Sequence, residues 1–155
     1  LGEEVRNARV EVDCPCSKEV LSLIRSVVTA VSREMGFSDE EIAKIEMSVD
    51  EACSNVVGHA YRIRKRETSA VSQTQVRIKL GITAARDHLH ITISDFGVGN
   101  AKGVHDGVQS LEEYLRRGHG LGTYIIKRFM DKVEVFYPQE SGTVVSMIKY
   151  LPRYD

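Results

Sequence analysis

The chain has 155 residues, 42% of them apolar and 28% charged, with a formal net charge of −1. That length and balance suit one compact domain with a single core and exclude a disordered or fibrous chain. The near-neutral charge, and the lack of any apolar run of about 18 residues, give no reason to expect direct nucleic-acid binding or a membrane-spanning helix.

Residues 6–13 alternate, with Ala8, Val10 and Val12 to one side and Arg9, Glu11 and Asp13 to the other. A period of two predicts a half-buried strand. Before it, Leu1-Gly2-Glu3-Glu4 has no basic-then-apolar leader pattern. Cys14-Pro15-Cys16 reads as a strand end and turn, rather than a soft metal or redox pair, because no second pair completes a zinc site. The odd total of three cysteines argues against a disulfide framework and for a reducing compartment, here the cytoplasm. The third, Cys53, falls among helical apolar positions and reads as a small core residue.

Ser17 is placed to cap a helix running to about Met35 and closed by Gly36. Ser38 and Glu41 have capping-box spacing and open a second helix reaching about Tyr61. Its apolar stripe is Ile42, Ile45, Val49, Ala52, Cys53, Val56 and Ala60. Residues 62–73 are polar, and their basic run Arg62-Ile63-Arg64-Lys65-Arg66 reads as a solvated loop, since neither interleaved aromatics nor net positive charge supports a nucleic-acid site.

Two strands follow, at 75–83 and 88–95, joined by a short polar turn. Val76, Ile78, Leu80 and Ile82 share one face of the first; Leu89, Ile91 and Ile93 share one face of the second. Arg77, Lys79, His88, His90 and Thr92 occupy the opposite faces, and the two histidines read as ordinary polar residues there. One apolar and one wet face fit an antiparallel sheet covered by helices on one side. Residues 100–117 are glycine-rich and then charged, with a short helix around 111–115; so long a stretch with little regular structure reads as a lid. Next comes a helix to about Met130 with Leu121, Ile125 and Phe129 aligned, then a closing hairpin from 133–137 and 143–151. The order predicts an α/β fold, a two-layer sandwich of a mainly antiparallel sheet covered on one face by helices. The chain reads as a single domain over 1–155, with the lid at about 100–117.

Three segments carry chemistry. Glu51 and Asn55, four apart on a helix, project from one face, and His59 lies one turn further along. A carboxylate beside an amide oxygen suits a magnesium-phosphate site, and an ordinary solvated helix face is the competing account. Asp95 has the parity of Leu89, Ile91 and Ile93, so the strand puts a carboxylate at the end of a buried face, where it needs a donor. The exocyclic amine of adenine is such a donor, and Gly97 and Gly99 allow close backbone approach. The third segment, Gly118-His119-Gly120-Leu121-Gly122, enters a helix whose N-terminal amides suit phosphate oxygens, or it is a flexible hinge.

Together, in order and spacing, the three segments resemble the GHKL ATPases, the superfamily of gyrase, MutL and histidine-kinase catalytic domains. Glu51-Ala52-Cys53-Ser54-Asn55 looks like the N box, Asp95-x-Gly97-x-Gly99 the first glycine box, and Gly118 to Gly122 the second. Within that superfamily the chain is similar to the anti-sigma-factor serine/threonine kinases of the RsbW and SpoIIAB type. The Glu-Ala-x-x-Asn-x-x-x-His-x-Tyr pattern at 51–61 and the stretch 118–135 with Met130-Asp131 carry the likeness, which spans residues 10–151.

The resemblance implies a Bergerat ATP-binding fold, with ATP and Mg2+ as cofactors. It makes Glu51 the general base, Asn55 the magnesium ligand, Asp95 the adenine acceptor supported by Thr143, and Arg116 a lid contact to the terminal phosphate. The implied cofactor-binding set is Asn55, His59, Asp95, Gly97, Gly99, Arg116, Gly118, His119, Gly120, Leu121, Gly122 and Thr143. The implied activity is phosphorylation of a serine on a small anti-sigma-factor antagonist, in a partner-switching system with a sigma factor and a homodimeric kinase. A nucleotide-gated protein-binding switch without kinase activity, and a detached histidine-kinase catalytic domain, are the alternatives.

Overall fold

The computed structural model describes residues 7–67, 77–95, 121–136 and 143–152. They form β1 (Ala8–Pro15), α1 (Lys18–Met35), α2 (Asp39–Glu67), β2 (Arg77–Ala84), β3 (His88–Asp95), α3 (Leu121–Phe129), β4 (Lys132–Phe136) and β5 (Val144–Tyr150). The strands make one sheet in the order β1-β2-β3-β5-β4, and every neighbouring pair is antiparallel.

The strand periodicity survives intact. Leu80 pairs with Ile93 and Ile82 with Ile91; across the next ladder Ile93 pairs with Val145 and Ile91 with Met147. All six are buried, so in-register apolar pairs pave one face of the sheet. β1 ends at Pro15, two residues past the predicted strand end, because Cys14 still continues the pattern and points inward; its thiol lies 3.7 Å from the Ile78 carbonyl. On the open face, His90 Nε2 lies 2.8 Å from Ser146 Oγ, and His88 Nδ1 lies 2.8 Å from Asp87 Oδ1.

The helices begin and end where their caps dictate. Ser17 Oγ accepts the Val20 amide at 3.3 Å, and Gly36 takes the left-handed conformation (φ 92°) that closes α1. Ser38 Oγ accepts the Glu41 amide at 3.3 Å as α2 begins. The predicted stripe of α2 from Ile42 to Val56, with Cys53, lies in the core, and burial pushes the Cys53 thiol up to about 12. One prediction fails at the other end: residues 62–67, read as loop, continue α2 to Glu67. Arg, Lys and Glu are good helix formers, and basic residues suit a helix C-terminus, so a polar composition there signals solvent rather than a break. The remainder of that predicted loop, the predicted lid at 100–117 with its short helix, Val76 and Tyr137 lie outside the described residues.

α2 is the middle helix, packed between α1 and α3 and lying over β3 and β5, while α1 lies over β1 and β2. Arg25 grips Asp50 with two bonds (2.6 and 3.2 Å), and Thr29 donates to Glu46, fastening α1 to α2. Lys149 fastens the opposite side: its ammonium donates to the Phe129 carbonyl at 2.9 Å and lies 3.1 Å from Glu41 and 3.7 Å from Asp131. This cluster pins the start of α2, the end of α3 and the end of β5 together. It therefore sets the direction in which all three run toward the site.

Candidate active site

From Glu41 to Asn55, α2 advances about 21 Å, and from Lys149 back to Thr143, β5 covers about 20 Å. Lys149 holds Glu41 at the far end of both elements. Thr143 sits beside Asp95: the Asp95 amide donates to the Thr143 carbonyl at 3.2 Å, and the Thr143 amide donates to Asp95 Oδ1 at 2.5 Å. α3, whose last residue is also held by Lys149, starts at this same end. Segments distant in sequence thus meet, Thr143 with Asp95.

Asp95 is 2% exposed and Thr143 fully buried, as the parity of β3 requires for the first and no sequence pattern indicates for the second. An ionised carboxylate has about four acceptor positions, so the Thr143 amide takes one part of the capacity. Thr143 Oγ1 and Asn55 Nδ2 are buried and have no hydrogen-bond partner among the described residues. Native interiors rarely leave such groups unsatisfied, and a polar ligand bearing both donors and acceptors is the physical remedy. ATP has both, in its adenine edge and its phosphates. Asn55 also presents a carbonyl oxygen, a hard donor of the kind magnesium takes alongside substrate phosphates and water. The residues present fit both groups.

Glu51, one turn before Asn55, meets α3 directly. A β-carbon placed on Gly122 would overlap Glu51 Oε2 and lie 2.7 Å from Cδ. Gly122 is therefore glycine because a carboxylate rests against its backbone, and the reason is close approach rather than an unusual φ. The contact joins the N-box segment to the second glycine segment by geometry. His59 lies on α2 and Leu121 opens α3. Gly97, Gly99, Arg116, Gly118, His119 and Gly120 lie outside the described residues.

Asp95→Asn is expected to weaken ATP binding by about 1.5–3 kcal/mol, the worth of a charge-assisted hydrogen bond, while folding stability stays near wild type because the asparagine carbonyl still accepts from Thr143. Asp95→Ala removes that acceptor too and should cost a further 1–3 kcal/mol or so of stability. Calorimetry with ATP and urea unfolding separate the two effects.

Fold and site together define a nucleotide-binding domain, and comparison with known proteins agrees. A family described as histidine kinase-like ATPase domain matches residues 14–149, and the chain belongs to that family. Within it, the chain belongs with the RsbW serine-protein kinases. It is 32% identical over 152 residues to serine-protein kinase RsbW of Bacillus licheniformis, covering 93% of this chain and 86% of that protein. It is 35% identical over 150 residues to the Staphylococcus epidermidis protein of the same name, covering 93% and 87%. Among solved structures, the SiaB–SiaC complex from Pseudomonas aeruginosa contains a similar fold, with a TM-score of 0.59 at 13% identity over 92% of this chain and 88% of that one. The RsbU and RsbW domains of a Mycobacterium tuberculosis protein give a TM-score of 0.57 at 12% identity, over 94% and 33%.

Proposed function

We propose that this chain transfers the terminal phosphate of ATP to a serine of a small antagonist protein, and that it acts in the cytoplasm as an anti-sigma factor. The observation that carries the reading is the Glu51 carboxylate seated against Gly122 at the start of α3, beside the unsatisfied Asn55 amide. In this reading Asp95 and Thr143 hold adenine, the amides of the second glycine segment hold phosphate oxygens, and Glu51 accepts the proton of the attacking serine. Magnesium, held by Asn55 and the phosphates, supplies charge stabilisation to the transferring group. Arg116 contacts the terminal phosphate, and His59, Gly97, Gly99, Gly118, His119, Gly120 and Leu121 complete the nucleotide-binding set. The chain works as one domain with residues 100–117 as its lid, and as a homodimer that holds either the antagonist or a sigma factor.

The experiment is incubation with magnesium and γ-labelled ATP, together with small proteins encoded beside the kinase gene. One of them should acquire acid-stable label on serine, and chelating the magnesium should abolish it. ATP-dependent binding without label sinks the transfer reaction, and acid-labile label on histidine sinks the serine assignment.

A further inference from the structure

Four glycines lie among the described residues, and three of them have a reason within the chain. Gly36 takes a left-handed φ of 92°. A β-carbon on Gly81 would lie 2.5 Å from Thr92 Oγ1, and one on Gly122 would overlap the Glu51 carboxylate. Gly58 is the exception. It stands well inside α2, its φ is not left-handed, and a β-carbon there would meet no atom of the described residues within 4 Å. Glycine is among the poorest residues for a helix interior, so α2 is weakened at a position where no neighbour demands it.

Its place on the helix says where the demand comes from. Gly58 follows Asn55 by three residues and Glu51 by seven, so all three share one face of α2. Gly58 is half-buried despite the empty space beside it, as the wall of a recess is, whereas Ala43 and Ser54 of the same helix are exposed. One turn earlier, Asn55 Nδ2 is buried with no hydrogen-bond partner among the described residues, an independent sign that a polar ligand belongs on this face. Asn55 is also the nearer neighbour; Glu51, where the acceptor serine arrives, is about 10 Å further back along the axis. At Gly81 and Gly122 the missing side chain makes room for a group that the chain itself supplies. We infer that at Gly58 it makes room for the nucleotide, which makes Gly58 a specificity-determining residue of the ATP site. The bound nucleotide passes against bare helix backbone there, and any side chain would stand in its path. The inference rests on the nucleotide reading of Asn55 and adds to it a limit on size that the polar residues do not impose.

The test is calorimetry on the full chain with ATP and magnesium, set beside thermal unfolding without nucleotide. Gly58→Ala should raise the thermal midpoint by about 2–4 °C, because it improves the helix and meets no neighbour. The same variant should bind ATP about tenfold or more weakly, the usual effect of one carbon too many in a fitted site. Gly58→Leu, still a good helix former, should show no measurable ATP binding. A gain in stability joined to a loss of binding is a pairing that a purely structural glycine does not give. Wild-type ATP affinity in Gly58→Ala overturns the inference and leaves the kinase reading standing, since that reading rests on Glu51 and Asn55. Wild-type ATP affinity with a raised KM for the acceptor protein overturns it too, because the space then belongs to the acceptor. A lowered midpoint shows that the chain itself fills the space, and the inference fails. A wild-type chain that binds no ATP removes the nucleotide reading, and the role of Gly58 with it.

Discussion

Glu51→Ala is expected to lower phosphoryl transfer by about 10²–10⁴-fold, the usual worth of a general base, and to leave ATP binding near the wild-type level. The separation follows from where the groups sit. In the proposed mechanism adenine recognition falls to Asp95 and Thr143, which bond to each other across the β3–β5 ladder. Glu51 lies instead at the α2–α3 seam, against Gly122, where the proposed mechanism brings the acceptor hydroxyl. Single-turnover transfer to the antagonist, set beside calorimetry with ATP, reads the two quantities independently. Equal losses in both would make Glu51 a binding residue and remove it as the base. Glu51→Gln sharpens the comparison, since it keeps the shape and hydrogen-bonding reach but not the basicity.

Gly122→Ala should be nearly as damaging, for a different reason. Its new methyl group would occupy space now filled by the Glu51 carboxyl, so that either the side chain or α3 must shift by an ångström or more. Displacement on the order of 1 Å costs roughly 10²-fold in a positioned reaction, while folding stability should change little, because the atoms displaced are the free end of a flexible side chain. A double-mutant cycle isolates the cause. In the Glu51→Ala background the added methyl meets no carboxylate, so Gly122→Ala should then cause little further loss of transfer, giving a strongly non-additive pair. Transfer rates for the four proteins decide it, and additive losses would show that the contact with Glu51 is not what requires glycine.

Much of this architecture was legible because it follows short-range rules. The period of two in β2 and β3 gave the buried face and, by continuing the count, put Asp95 inside it, where it is found. Ser17, Gly36 and Ser38 marked the ends of α1 and the start of α2, because caps act within one turn of chain. The exit of α2 differs from the sequence expectation for a complementary reason. Residues 62–67 look like loop by polarity, yet helix continuation depends on backbone propensity, and no glycine or proline interrupts them. Glu51, Asn55 and Asp95 stand out by type and spacing, and Thr143 comes only through family likeness, since nothing in its own neighbours marks it as buried beside a carboxylate.

The three segments therefore divide between the two levels of description. Sequence by itself determined that Glu51 and Asn55 share a helix face, that Asp95 ends a buried strand face, and that a glycine run precedes α3, each a consequence of local backbone periodicity. Only the tertiary structure decided what they touch: Glu51 rests against Gly122, and Asp95 bonds to Thr143. The Lys149 cluster fixes α2, α3 and β5 together at one end, a set of contacts between elements that lie far apart in sequence. The need for glycine at 122 belongs to that second level as well. It arises from a carboxylate contributed by another helix, a steric demand between elements that no local pattern encodes.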